Sequence, residues 1–220
     1  MKSRILLLTT GGTIASLPTD DGLAPGLDGE DLAELLPRGV TDSYDITIQD
    51  ILHLDSSNIQ PEEWQTIARH VFAQRGAYDG IVITHGTDTM AYTASILSFM
   101  LRGISIPVVL TGAQLPMTHP LSDGMENLRT ALAMAASGVA GVFLAFDRKV
   151  ILGCRAVKTR TTDFDAFESV NWPLAGHVDA GGLHICREAI PERKGECLLR
   201  EELCRDVFLI KPVSYTHMTL

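Results

Sequence analysis

Four short apolar runs constrain this chain more than any other feature: Ile5-Leu6-Leu7-Leu8, Ile81-Val82-Ile83, Val108-Val109-Leu110 and Val142-Phe143-Leu144. Each is apolar at consecutive positions, so an extended segment would be greasy on both faces. That is the pattern of a strand buried between helical layers, not of one wetted on one side. Helical patterns fill the gaps. Pro61 suits a first-turn position, Trp64, Ile67, Ala68, Val71 and Phe72 follow on one face, and Gly76 is placed to end the helix. A second helix is expected from Asp123, with Glu126 at capping-box spacing, through Leu128 and Leu132 to Gly138. Strand and helix alternate, so the expected class is α/β: a Rossmann-like, mostly parallel sheet flanked by helices and joined by right-handed crossovers.

Size and charge narrow the functional classes. At 220 residues, 45% hydrophobic, the chain can bury one large core or two small ones. A net charge of -9 argues against a nucleic-acid partner, which needs a basic footprint. The run Ile5 to Leu8 is too short for a signal-peptide core or a membrane span, so no membrane partner is expected. Cys154, Cys186, Cys197 and Cys204 form no CxxC pair, which reads as free thiols in a reducing cytoplasm. A metal site including His184 and Cys186 would fit no common zinc spacing, and none is expected.

Three of the expected strands end alike: LLL-TTGGT, IVI-THGTDT and VVL-TGAQ. In an open parallel sheet, ligands bind outside the carboxyl ends of the strands, so threonine-glycine chemistry repeated at that rim marks a candidate site. Glycines allow close backbone approach, and helix N-termini offer N–H groups to a carboxylate or an oxyanion. TGGT is not GxGxxG and no GxxxxGK[ST] loop exists, so a small polar ligand fits better than a dinucleotide. Each residue also has an ordinary reading. Thr9, Thr10, Thr84 and Thr111 could simply bond the backbone at strand ends, Asp88 could cap a helix, His85 could be an oriented structural histidine, and Lys158 could be solvated. Sharing one rim gives them another: threonine is a poor nucleophile until a neighbour takes its proton, and a partly desolvated lysine can do so. Thr87, Asp88 and Lys158 would form a hydroxyl, carboxylate and amine relay, with Thr13 a second hydroxyl and glycine-loop N–H groups to hold an oxyanion. That set suits acyl transfer from an amide or ester.

TTGGTIAS (9 to 16) and THGTDTMAYTAS (84 to 95) together resemble the paired signature motifs of the bacterial-type L-asparaginase family. TGAQLP, SDGMENL, GCRAVKT and TTDFDAFES follow in family order, over roughly residues 4 to 186, and HGTDTMAYTAS followed by LSFML is most similar to the cytoplasmic type I branch. The resemblance implies the N-terminal domain of a two-domain asparaginase that hydrolyses L-asparagine without metal or cofactor. It implies Thr13 as nucleophile, with Thr87, Asp88 and Lys158 as the second hydroxyl, carboxylate and lysine. It further implies that Asp55 and Ser56 bind substrate, Ser56 at the α-carboxylate, that Asp88 pairs with the α-ammonium, and that the Ala113 backbone lies near the leaving amide. A homodimer or homotetramer is expected of the full-length protein. An amidotransferase subunit of the same fold, and an inactive amino-acid-binding module, are the competing readings.

Two departures are visible. Family members carry a tyrosine in the loop after the first motif; the corresponding stretch, DDGLAPGLDG, has Leu23. Segment 17 to 31, rich in Gly, Pro and Asp, is expected to be a mobile surface loop. The chain also divides unevenly: residues 1–186 carry the motifs, 187–206 read as a linker, and 207–220 read as a truncated start of a second domain with a non-native tail. Apolar surface is expected where that second domain would dock.

Overall fold

The computed structural model describes residues 2–19, 22–26, 28–192, 195–204 and 206–207, with backbone alone for 15, 17–19 and 22–25. In chain order the strands are β1 (Ser3–Gly11), β2 (Ser16–Thr19), β3 (Gly22–Pro25), β4 (Tyr44–Leu54), β5 (Gly80–Thr84), β6 (Pro107–Thr111), β7 (Gly141–Phe146), β8 (Lys149–Leu152), β9 (Ala156–Lys158), β10 (Phe167–Ser169), β11 (Gly176–Asp179) and β12 (Gly182–Ile185). The helices are α1 (Gly29–Leu35), α2 (Arg38–Thr41), α3 (Pro61–Gln74), α4 (Met90–Met100) and α5 (Gly124–Ala135). Eight strands form one sheet in the order β12-β11-β8-β7-β6-β5-β1-β4. The five from β4 to β7 pair in parallel, while β8, β11 and β12 extend the sheet antiparallel.

The four apolar runs lie in β1, β5, β6 and β7 and feed a core on each face. Leu6, Leu8, Ile81, Ile83, Val108 and Leu110 face α3 and α4. Ile5, Leu7, Val82 and Val109 face α1, α2 and α5. Full burial of such side chains contributes about 1.5–3 kcal/mol each, which is why consecutive positions are apolar. α3 forms as its sequence indicates: Pro61 lies in its first turn, Glu63 closes a capping box on Gln60, and Ile67, Ala68 and Val71 are buried.

The arrangement of the helices corrects the expectation of uniformly right-handed crossovers. β5, β6 and β7 are parallel neighbours stepping in one direction across the sheet. Yet the β5–β6 helix α4 packs on one face and the β6–β7 helix α5 on the other. Two such crossovers must have opposite hands, so one is left-handed. Apolar periodicity says which side of a helix is buried, not which face of the sheet buries it. α5 also starts differently from expectation. Asp123 does not cap it and Glu126 closes no box; the Asp123 carboxylate instead accepts the N–H groups of Gln114 and Leu115 at 3.0 and 3.1 Å, and Glu126 pairs with Arg148.

The described parts of segment 17 to 31 include strand and helix. β2 and β3 pair antiparallel, with Thr19 opposite Gly22 and Pro18 opposite Leu23, and Asp28 caps α1 with a full capping box to Asp31. The Leu23 side chain lies outside what is described. Further on, 195–203 lies against α3 and α4: Arg200 N donates to Met100 O at 2.9 Å, and the Gln65 side chain donates to Glu201 O at 2.8 Å. The strand expected in VFLIKP lies, beyond Val207, outside the described residues.

Candidate active site

Counted in sequence, the parallel strands stand in the order 2-1-3-4-5, and the direction of strand addition reverses between β1 and β5. Such a reversal opens a crevice at the carboxyl ends, because the following connections leave to opposite sides. Here the two connections are the TGGT and THGTDT turns. They meet at backbone contact: a Cβ on Gly12 would lie 2.3 Å from Gly86 N, and one on Gly86 would lie 2.5 Å from Ser56 Oγ. Gly12, at φ 80° and ψ 179°, has a torsion pair essentially restricted to glycine.

A polar cleft of about 50 Å³ opens there, lined by Gly12, Thr13, Ser16, Asp55, Ser56, Gly86, Thr87 and Asp88. Five residues singled out from sequence thus converge: Thr13, Asp55, Ser56, Thr87 and Asp88. Lys158 joins them from β9. Its Nζ donates to Thr87 Oγ1 at 2.8 Å and to Asp88 Oδ1 at 2.7 Å. The lysine side chain is only 14% exposed, against 64% for Asp88, so the cation is fixed in the wall while the carboxylate reaches solvent. Asp88 is therefore not a helix cap. Thr89 occupies the N-cap position of α4 without a side-chain cap bond, and its hydroxyl donates to Ser56 O at 2.7 Å, tying the Ser56 loop to α4. Asp55 caps its own turn, accepting from Ser57 N at 2.8 Å.

Ala113 is near the cleft but does not line it. It is fully buried and its side chain packs with Ile14 and Met117. The Gly12 N–H is bonded to Leu54 O at 3.1 Å, so that amide is not open to an oxyanion. The strand-end threonines divide. Thr10 and Thr111 bond neighbouring carbonyls, Thr84 O and Ala145 O. Thr9 bonds the Asp50 carboxylate, and Thr84 Oγ1 is buried with no hydrogen-bond partner among the described residues.

His85 is fully buried. Loss of solvent pushes its imidazole down to about 4, against the pull of the Gly86 carbonyl. It is neutral at neutral pH, and its Nδ1 lies 2.7 Å from Gly86 O and its Nε2 2.9 Å from Thr93 Oγ1. Gln114 was not singled out from sequence, although TGAQ displays it. Thr87 Oγ1 lies 3.4 Å from Gln114 Oε1, and Gln114 Nε2 donates to Thr161 O and Asp163 O at 3.2 and 2.9 Å. It clips the Thr87 turn to the loop following Lys158.

Among the described residues no group of three or more His, Cys, Asp and Glu is placed to hold a metal ion. His184 pairs with Asp179 at 2.8 Å on the β11–β12 hairpin, and Cys186 lies against Glu188. No helix among those residues is long and apolar enough to cross a membrane.

The arrangement offers two hydroxyls, a fixed ammonium and an exposed carboxylate in one small cleft, a set suited to attack on a polar acyl group. The chain is 47% identical over 208 residues to an L-asparaginase of Thermococcus kodakarensis, covering 94% of this chain and 63% of that protein. The solved structure of the thermostable L-asparaginase from that organism superposes with a TM-score of 0.83, covering 91% of this chain and 61% of that one. L-asparaginase 1 of Escherichia coli K12 is 40% identical over 205 residues, covering 90% of this chain and 60% of that protein. A glutamyl-tRNA(Gln) amidotransferase subunit of Pyrococcus furiosus is 36% identical over 219 residues, covering 94% of this chain and 50% of that protein. The chain thus spans about six tenths of the length of these asparaginases. With residues 4–191 matching the family described as Asparaginase, N-terminal, the chain belongs to the asparaginase family.

Proposed function

We propose that this chain carries the catalytic rim of an amidohydrolase that converts L-asparagine to L-aspartate and ammonia. The observation that carries the reading is Lys158 Nζ, bonded at once to Thr87 Oγ1 and Asp88 Oδ1 at the wall of the cleft lined by Thr13. Thr13 Oγ attacks the side-chain amide carbon and its proton leaves with the departing ammonia, giving an aspartyl ester on Thr13. Water then cleaves the ester, restoring the hydroxyl and releasing aspartate. Thr87, Lys158 and Asp88 relay protons and hold charge during both steps. Ser56 receives the α-carboxylate, the exposed Asp88 carboxylate the α-ammonium, and the Ala113 backbone the leaving amide.

We further propose that residues 1–186 are the N-terminal domain of a two-domain enzyme, with 187–206 as linker, working in the cytoplasm as a homodimer or homotetramer. The free cysteines among the described residues fit that compartment. Ammonia release from L-asparagine by the purified chain, compared with T13A, tests the reading. Release that is lost in a folded T13A supports it, and release that survives refutes the nucleophile. A second reading, the ammonia-releasing component of an amidotransferase, is favoured by the 36% identity to the Pyrococcus furiosus protein. Dependence of turnover on an added amidotransferase partner and tRNA would select it. Binding of aspartate with no turnover by a folded chain would select the inactive binding module.

A further inference from the structure

We infer that His85 is a positioning residue for the site just proposed, fixing the peptide between Gly86 and Thr87 through a one-way chain of hydrogen bonds from Trp64. The inference rests on that site reading for its functional meaning and on local geometry for its substance. Trp64 Nε1 donates to Thr93 Oγ1 at 2.9 Å. An indole N–H can only donate, so the Thr93 oxygen accepts and its own hydrogen is free to go elsewhere. Thr93 Oγ1 lies 2.9 Å from His85 Nε2, and His85 Nδ1 lies 2.7 Å from Gly86 O. A carbonyl can only accept, so Nδ1 carries the ring proton and Nε2 receives the Thr93 hydrogen. Both ends of the chain thus dictate one tautomer.

The object held is the floor of the cleft. Gly86 has no side chain to lock its conformation, and its backbone is wedged between Gly12 and Ser56. Its carbonyl is drawn inward to the imidazole. Across a trans peptide the next N–H points the opposite way, so Thr87 N–H is turned away from His85. Two further restraints keep the ring in place: His85 N donates to Thr111 O at 2.8 Å, and Thr93 sits fully buried in α4. The chain therefore joins α3, α4 and β6 to a single peptide plane.

The test uses the full 220-residue chain. Long-range 1H–15N NMR on histidine-labelled protein between pH 5 and 8 should show one non-titrating imidazole in the Nδ1–H form, assigned by its loss in H85N. T93V should leave the ring in the Nδ1–H form, held by the Gly86 carbonyl, but shift the Nε2 resonance through loss of the hydroxyl that donates to it, while the chain stays folded by circular dichroism. For binding, L-aspartate is the calorimetric probe. H85L should weaken it about tenfold, the value of one well-placed hydrogen bond. H85N, whose side-chain amide can occupy the Nδ1 position, should recover most of that loss. The Thr87 backbone amide resonance should move in H85L and return toward its original position in H85N. An Nε2–H tautomer, protonation near pH 6, or equal behaviour of H85L and H85N overturns the inference. Absence of aspartate binding by the unaltered chain overturns the site reading instead, while the tautomer and the Thr87 amide still judge His85.

Discussion

Replacing Gly12 with alanine puts a methyl group where the two turns of the cleft touch. The new Cβ would lie 2.3 Å from Gly86 N, 2.5 Å from Gly86 Cα and 2.9 Å from His85 C. All three are backbone atoms, so no flexible side chain can yield, and ordinary carbon contact requires the turns to part by roughly 1 Å. Overpacking of this kind costs about 1–3 kcal/mol. The torsions of Gly12, φ 80° and ψ 179°, add about 1–3 kcal/mol for any residue with a Cβ. G12A is therefore expected to lose about 2–6 kcal/mol. Urea unfolding followed by tryptophan fluorescence should show a midpoint lowered by roughly 1–2 M or more. The control is G39A: Gly39 lies in α2 and its Cβ would meet nothing within 4 Å, so stability should hold or rise by up to about 1 kcal/mol. A G12A midpoint within error of both the unaltered chain and G39A would refute the claim that these turns are in rigid contact.

Three other substitutions probe separate parts of the site. K158M should lower asparagine turnover roughly 10²–10⁴-fold while changing stability by no more than about 1 kcal/mol, because its carboxylate partner is largely solvated; ammonia release and a urea curve together check both. D123A should destabilise by about 2–4 kcal/mol, since it strips acceptors from Gln114 N, Leu115 N and the Asn127 amide, and D123N should recover part of that. The His85 pKa of about 4 in the fold lies below its ordinary 6.5, so the unfolded chain binds the proton first as pH falls. His85 thus contributes roughly 3 kcal/mol that is complete above pH 6.5 and is lost between pH 6.5 and 4. Unfolding curves for H85N should lack that portion of the acid loss, and an unchanged slope would refute the burial argument.

The parts legible in the sequence were those written in one-dimensional patterns. β1, β5, β6 and β7 stand out because burial on both faces forces consecutive apolar residues, and α3 because Pro61 and its apolar face coincide. β8 has its own apolar run, Val150-Ile151-Leu152, but only the two-residue Asp147-Arg148 turn separates it from β7, and β11 and β12 are short and flank a polar turn, so no continuous run marks those two. The hand of the crossovers depends on which face of the sheet a helix covers, which the Leu128 and Leu132 spacing does not encode. At the site, motif order pointed to Thr13, Asp55, Ser56, Thr87, Asp88 and Lys158, which share one cleft and its wall. Gln114 escaped notice and Asp123 was assigned to a helix cap, because the importance of both lies in partners on other segments: one bridges to the carbonyls of Thr161 and Asp163, and the other folds back from a helix start to the Gln114 and Leu115 amides.

The cleft also has a history during synthesis. Thr13 and the Ser56 loop leave the ribosome early, and Thr87 follows, but Lys158 comes 71 residues after Thr87. Its strand forms its pairs with β10, later still in the chain. A nascent chain can therefore complete the parallel sheet through β7 while its rim still lacks the ammonium. Whatever ligand the two hydroxyls meet before then, the charge that would engage Thr87 and Asp88 is not yet present. The polar cluster at the rim is thus completed in sequence only after the parallel sheet that supports it.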